Sequence, residues 1–289
     1  VVPSVSSLIA LRNLPSNKKK RKNFIGIGDP FFSKEQALEA EEERQSLQIA
    51  TRGGITVRGL PIRLRAAPKL DGVATADIAL LPRLPDTADE VMGIARVSMA
   101  DPEKDVFLGR DANEEQLKEL DLAKYKIIVF ATHGLMSGDL DGLTEPALAL
   151  TSPAVSGKKG DGLLTLGEIL TLKLDADWVV LSACNTASAD GETSEAMSGL
   201  ARAFFYAGAR ALLVSNWPVE TISAKKLTTD IFRRQADNPS LSRAQALRRS
   251  MVQLLNGPGF TDQNGKTLFS YAHPIFWAPF ALVGDGAAS

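Results

Sequence analysis

The sequence predicts an α/β fold built on an open, mainly parallel sheet with helices on both faces, and three observations lead to the sheet. The runs KIIVFA (126–131), WVVLSA (178–183) and ARALLVSNW (209–217) are short, apolar and unalternating, which marks strands buried on both faces. Segments with helical spacing and capping residues lie between them. Strand and helix therefore alternate, the pattern of a parallel sheet covered on each side.

Each element has its own local reason. Val1 to Asn13 reads as the tail of a helix or a packed arm. Lys18, Lys19, Lys20, Arg21 and Lys22 follow, read as a solvated basic loop rather than a phosphate site or an import signal. FIGIGDPFF (24–32) is a buried strand that stops at Asp29-Pro30, because the residue before proline avoids helix. Its Gly26 and Gly28 lack the third glycine and following helix of a dinucleotide fingerprint. Ser33 with Gln36 opens an exposed helix, and ITVRGLPIRLR (55–65) is an edge strand or hairpin interrupted by proline. Thr87 with Glu90 reads as a second capping box, opening a helix whose apolar face carries Val91, Ile94 and Ala95. DVFLG (105–109) is a strand, and Asn113 caps a helix running to Leu120. After the first central strand, Thr165 and Glu168 start another helix. The next spans Thr193 to Ala207, with Gly208 as its stop. Helices over 220–234 and 242–255 precede a last strand, WAPFALVG (277–284).

Composition narrows the function classes. The chain has 289 residues, 44% hydrophobic and 23% charged, an ordinary globular balance with ample core. A formal net charge of -1 gives no electrostatic case for nucleic acid or for an anionic membrane. No apolar run approaches the ~18 residues that span a bilayer, and no signal-peptide pattern opens the chain. Because the first residue is Val1, a piece of a longer protein is expected. One cysteine, Cys184, fits a reducing, cytoplasmic setting. With only His133 and His273 besides it, no metal site and no cofactor are expected.

The chemistry then has few places to lie. In an open α/β sheet, ligands bind outside the carboxyl ends of the strands. His133 follows the strand 126–131, and Cys184 follows the strand 178–183. If those strands are neighbours, ~4.8 Å apart, a thiol and an imidazole meet across the strand tips. That is the arrangement of a nucleophile with its base. Gly134 permits a φ closed to other residues, so its N–H could join that of Cys184 in an oxyanion hole. No acidic third member is evident, and a backbone carbonyl could orient the imidazole instead. Taken singly, each group has a bland reading, a small buried thiol or an idle loop histidine. Their joint setting, a strand followed by His-Gly and a strand followed by Ala-Cys, 51 residues apart (184 − 133), favours the pair. His273, in YAHPIFWAPF (271–280), reads as packing among aromatics.

ATHGL (131–135), DGLLTLGEI (161–169), LSACNTA (181–187), GLARAFFYAGARALLVSNWPV (199–219) and HPIFWAPFALVG (273–284) closely resemble the CHAT domain, in the caspase and separase branch of cysteine peptidases. PSVSSLIALR (3–12), GIGDPFF (26–32), LPDTADEVMGIA (84–95) and FLGRDANEEQLK (107–118) extend the resemblance over nearly the whole chain. The resemblance implies a cysteine endopeptidase acting on a protein substrate, with His133 and Cys184 as dyad and Gly134 at the oxyanion hole. It also implies a substrate lying extended beside the strand ending at Ser215, Asn216 and Trp217, by β-augmentation. Glu220 would favour Lys or Arg before the cut, although Thr221 stands where relatives carry a second acid; a helix-terminal acid is the plainer alternative. Residues 1–110 would be a non-catalytic scaffold half and 111–289 the catalytic half. A bacterial parent protein with upstream tetratricopeptide repeats is implied, acting in regulated signalling or defence. A catalytically lapsed interaction module is the alternative.

Overall fold

Stacked on one another, the apolar runs become neighbouring strands of one sheet. The computed structural model describes residues 20–50, 77–182, 193–217, 219–261 and 265–287, together with Ile9. Its strands are β1 (Lys22–Pro30), β2 (Val106–Gly109), β3 (Tyr125–Ala131), β4 (Gly134–Leu135), β5 (Ala147–Ala149), β6 (Leu163–Thr165), β7 (Trp178–Leu181), β8 (Ala211–Ser215), β9 (Phe260–Thr261), β10 (Thr267–Phe269) and β11 (Phe280–Gly284). Its longer helices are α1 (Lys34–Ala50), α2 (Asp86–Val97), α3 (Thr193–Ala207), α4 (Thr221–Asp237) and α5 (Arg243–Asn256). The central sheet runs β11-β8-β7-β3-β1-β2. All its pairs are parallel except β11 with β8. Strands β4, β5 and β6 form a small antiparallel sheet, and β9 pairs with β10.

Alternate side chains of each strand enter opposite cores, which is why the runs carry no polar break. Phe24, Val129, Val180 and Leu213 pack with Val91, Ile94, Leu227 and Ile231 of α2 and α4. Ile25, Ile128, Val179 and Leu212 pack on the other face with Leu200 and Phe204 of α3. The expected helices on both faces are present. Gly26 and Gly28 serve this packing: a Cβ would lie 2.5 Å from Val91 Cγ1 at the first and 2.9 Å from Val91 Cγ2 at the second. They let α2 press on β1.

Several local expectations are corrected. Thr87 and Glu90 form no capping box. The N-cap of α2 is Pro85, without a side-chain cap; Thr87 Oγ1 instead donates to the Leu84 carbonyl at 2.7 Å, and Glu90 turns into the core. The end of the basic run is only partly solvated: Arg21 is largely buried and pairs with Asp177 at 3.1 Å, while Lys22 stays exposed and pairs with Asp105 at 2.7 Å. The segment 55–65 and residues 1–8 lie outside the described residues. No described helix is long and apolar enough to cross a membrane.

The strand 211–215 is not an edge. β11 returns antiparallel beside it, with Phe280 opposite Ser215 and Asn216 N–H donating to the Pro279 carbonyl at 2.9 Å. A peptide cannot add along β8, because its outer hydrogen-bonding groups are already taken by β11. The β-augmentation expected there is therefore withdrawn.

Candidate active site

The parallel register brings the carboxyl ends of β3 and β7 to one rim, with Phe130 opposite Leu181. His133 leaves that rim three residues beyond Phe130 and is held by the small sheet. Its carbonyl accepts from Ala149 N–H at 2.9 Å, while Thr132 Oγ1 donates to the Ala149 carbonyl at 2.5 Å. Phe32 packs on the imidazole with ring centroids 5.5 Å apart. The residue is only 1% exposed.

The two ring nitrogens differ. Nε2 lies 2.7 Å from the Pro82 carbonyl oxygen. A carbonyl only accepts, so in the neutral ring Nε2 carries the proton and Nδ1 the lone pair. Nδ1 is buried and has no hydrogen-bond partner among the described residues. A buried acceptor without a partner is costly to folding and calls for an explanation, of which a catalytic role is one. The backbone-carbonyl orienter that the sequence left open is thus Pro82.

Burial lowers the proton affinity of His133 below its ordinary value, and the Pro82 contact offsets this only in part. The imidazole is therefore a neutral base near neutral pH. The sign of the stability effect follows. The unfolded chain binds this proton more tightly than the native one, so stability rises with pH. The loss sets in as pH falls through the ordinary value of 6.5. Calorimetry is expected to show the thermal midpoint falling from about pH 7.5 to about pH 5, and to show a shallower fall in His133→Gln. Equal slopes in the two proteins would contradict the burial argument.

Cys184 lies outside the described residues. The chain is described to Ser182, whose N–H donates to the Phe130 carbonyl at 2.9 Å, continuing the β3 pairing one residue past β7. Beneath Ser182 sits Glu90 of α2, fully buried, accepting from Ser182 Oγ and from Thr228 Oγ1 of α4, each at 3.0 Å. Glu90 therefore links two helices to the end of β7. Sequence reading missed it as a core group, though one sign was available: positions 87, 90, 91 and 94 share one helical face, so a carboxylate fell on the apolar stripe.

The other predicted residues separate. Gly134 is buried at the start of β4, opposite Leu148. Its φ is not among the positive ones, so the conformational freedom invoked for it is not used. Ser215 is buried beside β11, Asn216 is exposed and Trp217 half-buried. Glu220 is corrected. It is 0% exposed and caps α4, its two oxygens accepting from Ile222 N–H at 3.0 Å and Ser223 N–H at 2.8 Å. Both oxygens are occupied by the helix terminus, so no carboxylate is offered to a basic side chain. His273 is exposed, not packed, and its Nδ1 accepts from Ile275 N–H at 3.2 Å. Among the described residues no group of three or more His, Cys, Asp or Glu side chains is placed to hold a metal.

A family model described as the CHAT domain matches residues 1–285. Tetratricopeptide repeat protein 28 of Mus musculus is 32% identical over 124 residues, 43% of this chain and 4% of that protein. The Homo sapiens protein of the same name is 32% identical over 123 residues, with the same shares. The match thus covers a small part of those long relatives.

Proposed function

This chain belongs to the CHAT domain family, a caspase-like cysteine-peptidase family, and from that premise we propose that it is a cysteine endopeptidase with His133 and Cys184 as its dyad. One observation carries the proposal: a buried imidazole whose Nε2 is tied to Pro82 and whose Nδ1 has no partner among the described residues, at the rim where β7 ends. In sequence, His133 stands three residues past Phe130, and Cys184 three past Leu181, its partner in the register. This symmetry about two adjacent strands supports the pairing of the two side chains.

The neutral ring favours a mechanism without a resting ion pair. As Cys184 sulfur attacks the peptide carbonyl carbon, Nδ1 takes the thiol proton. The C–N bond then breaks, and the imidazolium returns that proton to the leaving amine. Water attacks the thioester, again losing a proton to Nδ1, and the acid and free thiol are released. Throughout, Nε2 donates to Pro82, which stabilises the transient positive ring. The N–H groups of Gly134 and Cys184 are proposed to receive the oxyanion, a contribution of about 3–4 kcal/mol per donor. The exposed Asn216 and half-buried Trp217, just past the end of β8, are proposed to face the substrate through their side chains.

Residues 1–110 are proposed as the non-catalytic half, supporting the site through β1, β2 and α2. The relatives' name supports a tetratricopeptide-repeat setting; we further propose such repeats upstream in the parent protein and cleavage under their control in a cytoplasmic signalling or defence protein. The test is direct. Iodoacetamide or an acyloxymethyl ketone should label Cys184, the single cysteine, at least tenfold faster at neutral pH than a free thiol peptide, a conservative bound for base assistance. Labelling no faster than the peptide's would overturn the proposal in favour of a lapsed interaction module.

A further inference from the structure

The carbonyl that orients His133 is itself held from both sides. Proline has a fixed φ and no N–H, so Pro82 is placed entirely by its neighbours. On one side, the Leu81 carbonyl accepts from Gln36 Nε2 at 2.7 Å, and Gln36 Oε1 accepts from Phe32 N–H at 2.9 Å. On the other side, Arg83 grips Asp29 in two bonds, Nε to Oδ1 at 2.9 Å and Nη2 to Oδ2 at 2.8 Å. Both side chains are largely buried, 15% and 7% exposed. The guanidinium also stacks on Phe31 at 5.1 Å.

Asp29 is held in an unusual backbone position. It has φ of 47° directly before Pro30, a left-handed conformation that only a few residue types accept readily. Its N–H donates to Thr87 Oγ1 at 2.8 Å, locking it to the start of α2. A strained residue that is anchored this firmly persists only where surroundings over-determine it. Here they fix the tip of β1 against the loop that carries Pro82.

We propose that Asp29 and Arg83 are positioning residues for the proposed dyad, acting as a clamp that aims the Pro82 carbonyl at His133 Nε2 and so keeps Nδ1 free as the base. The inference rests on the peptidase reading. It gives the first third of the chain a part in catalysis without contact with substrate.

The test uses the full chain labelled with 15N. Only two histidines are present, and His133→Gln identifies the His133 nitrogens. The parent protein should show one tautomer, with the proton on Nε2. In D29N/R83Q, which removes both charges and places at 29 an asparagine tolerant of the left-handed region, the shifts should report a tautomer mixture. Cys184 labelling by iodoacetamide should slow about tenfold, within the range that a displaced reacting group costs. R83K, a point charge without the fork, should fall between. Parent-like nitrogen shifts and labelling rate in D29N/R83Q would overturn the clamp; if that variant does not fold, the same result in R83K does so. Labelling of His133→Gln as fast as the parent would instead overturn the dyad, since the nitrogen shifts report the clamp by themselves.

Discussion

Cys184→Ala is expected to abolish peptide cleavage, and His133→Ala to lower kcat by about 100- to 10,000-fold. The double variant should be no worse than Cys184→Ala, because nucleophile and base act as one unit and their losses do not add. KM should change little, since neither group is invoked to bind the ground state. The physical cause is Nδ1, the ring nitrogen that is buried and has no hydrogen-bond partner among the described residues. Steady-state kinetics on a substrate selected from a peptide library would measure this. Cleavage surviving in Cys184→Ala, or a His133→Ala effect confined to KM, would contradict it.

The second large effect concerns stability. Glu90→Ala should destabilise the protein by about 3–5 kcal/mol, because the buried Ser182 and Thr228 hydroxyls lose a shared acceptor and a cavity is left between two helices. Ser182 and Thr228 belong to different elements, β7's extension and α4, so the loss falls on the junction of strand and helices. Glu90→Gln keeps the volume and one carbonyl acceptor, and should cost about 1–2 kcal/mol. Urea unfolding of the three proteins checks the order. A Glu90→Ala cost below about 1 kcal/mol would mean that the carboxylate has no structural weight.

Much of the fold was legible because β3, β7 and β8 are buried on both faces and must read as unbroken apolar runs. Helix starts at Asn113, Thr165 and Ser242 were legible because their side chains satisfy exposed amides at positions fixed by helical geometry. The direction of β11 was not. An apolar run at the end of a chain carries no sign of parallel or antiparallel entry, and its antiparallel return is what removed the open edge expected at β8.

The candidate site was half legible. His133 carries its chemistry in its side chain, and its place after an apolar strand could be read directly; Cys184 lies outside the described residues. Pro82 contributes a carbonyl, which every residue possesses, so no residue type announces it. Asp29 was read as a strand stop and Glu220 as a specificity acid. Which bonds occupy a carboxylate depends on folding, and burial turned the first into half of an ion pair and the second into a helix cap.

The separation of Cys184 Sγ from His133 Nδ1 in a crystal structure of the chain tests all of this most directly. A distance within about 4 Å, with Nε2 still on the Pro82 carbonyl, is the expected result. A sulfur on the far side of the sheet, or an imidazole presenting Nε2 to it, would contradict the proposed dyad.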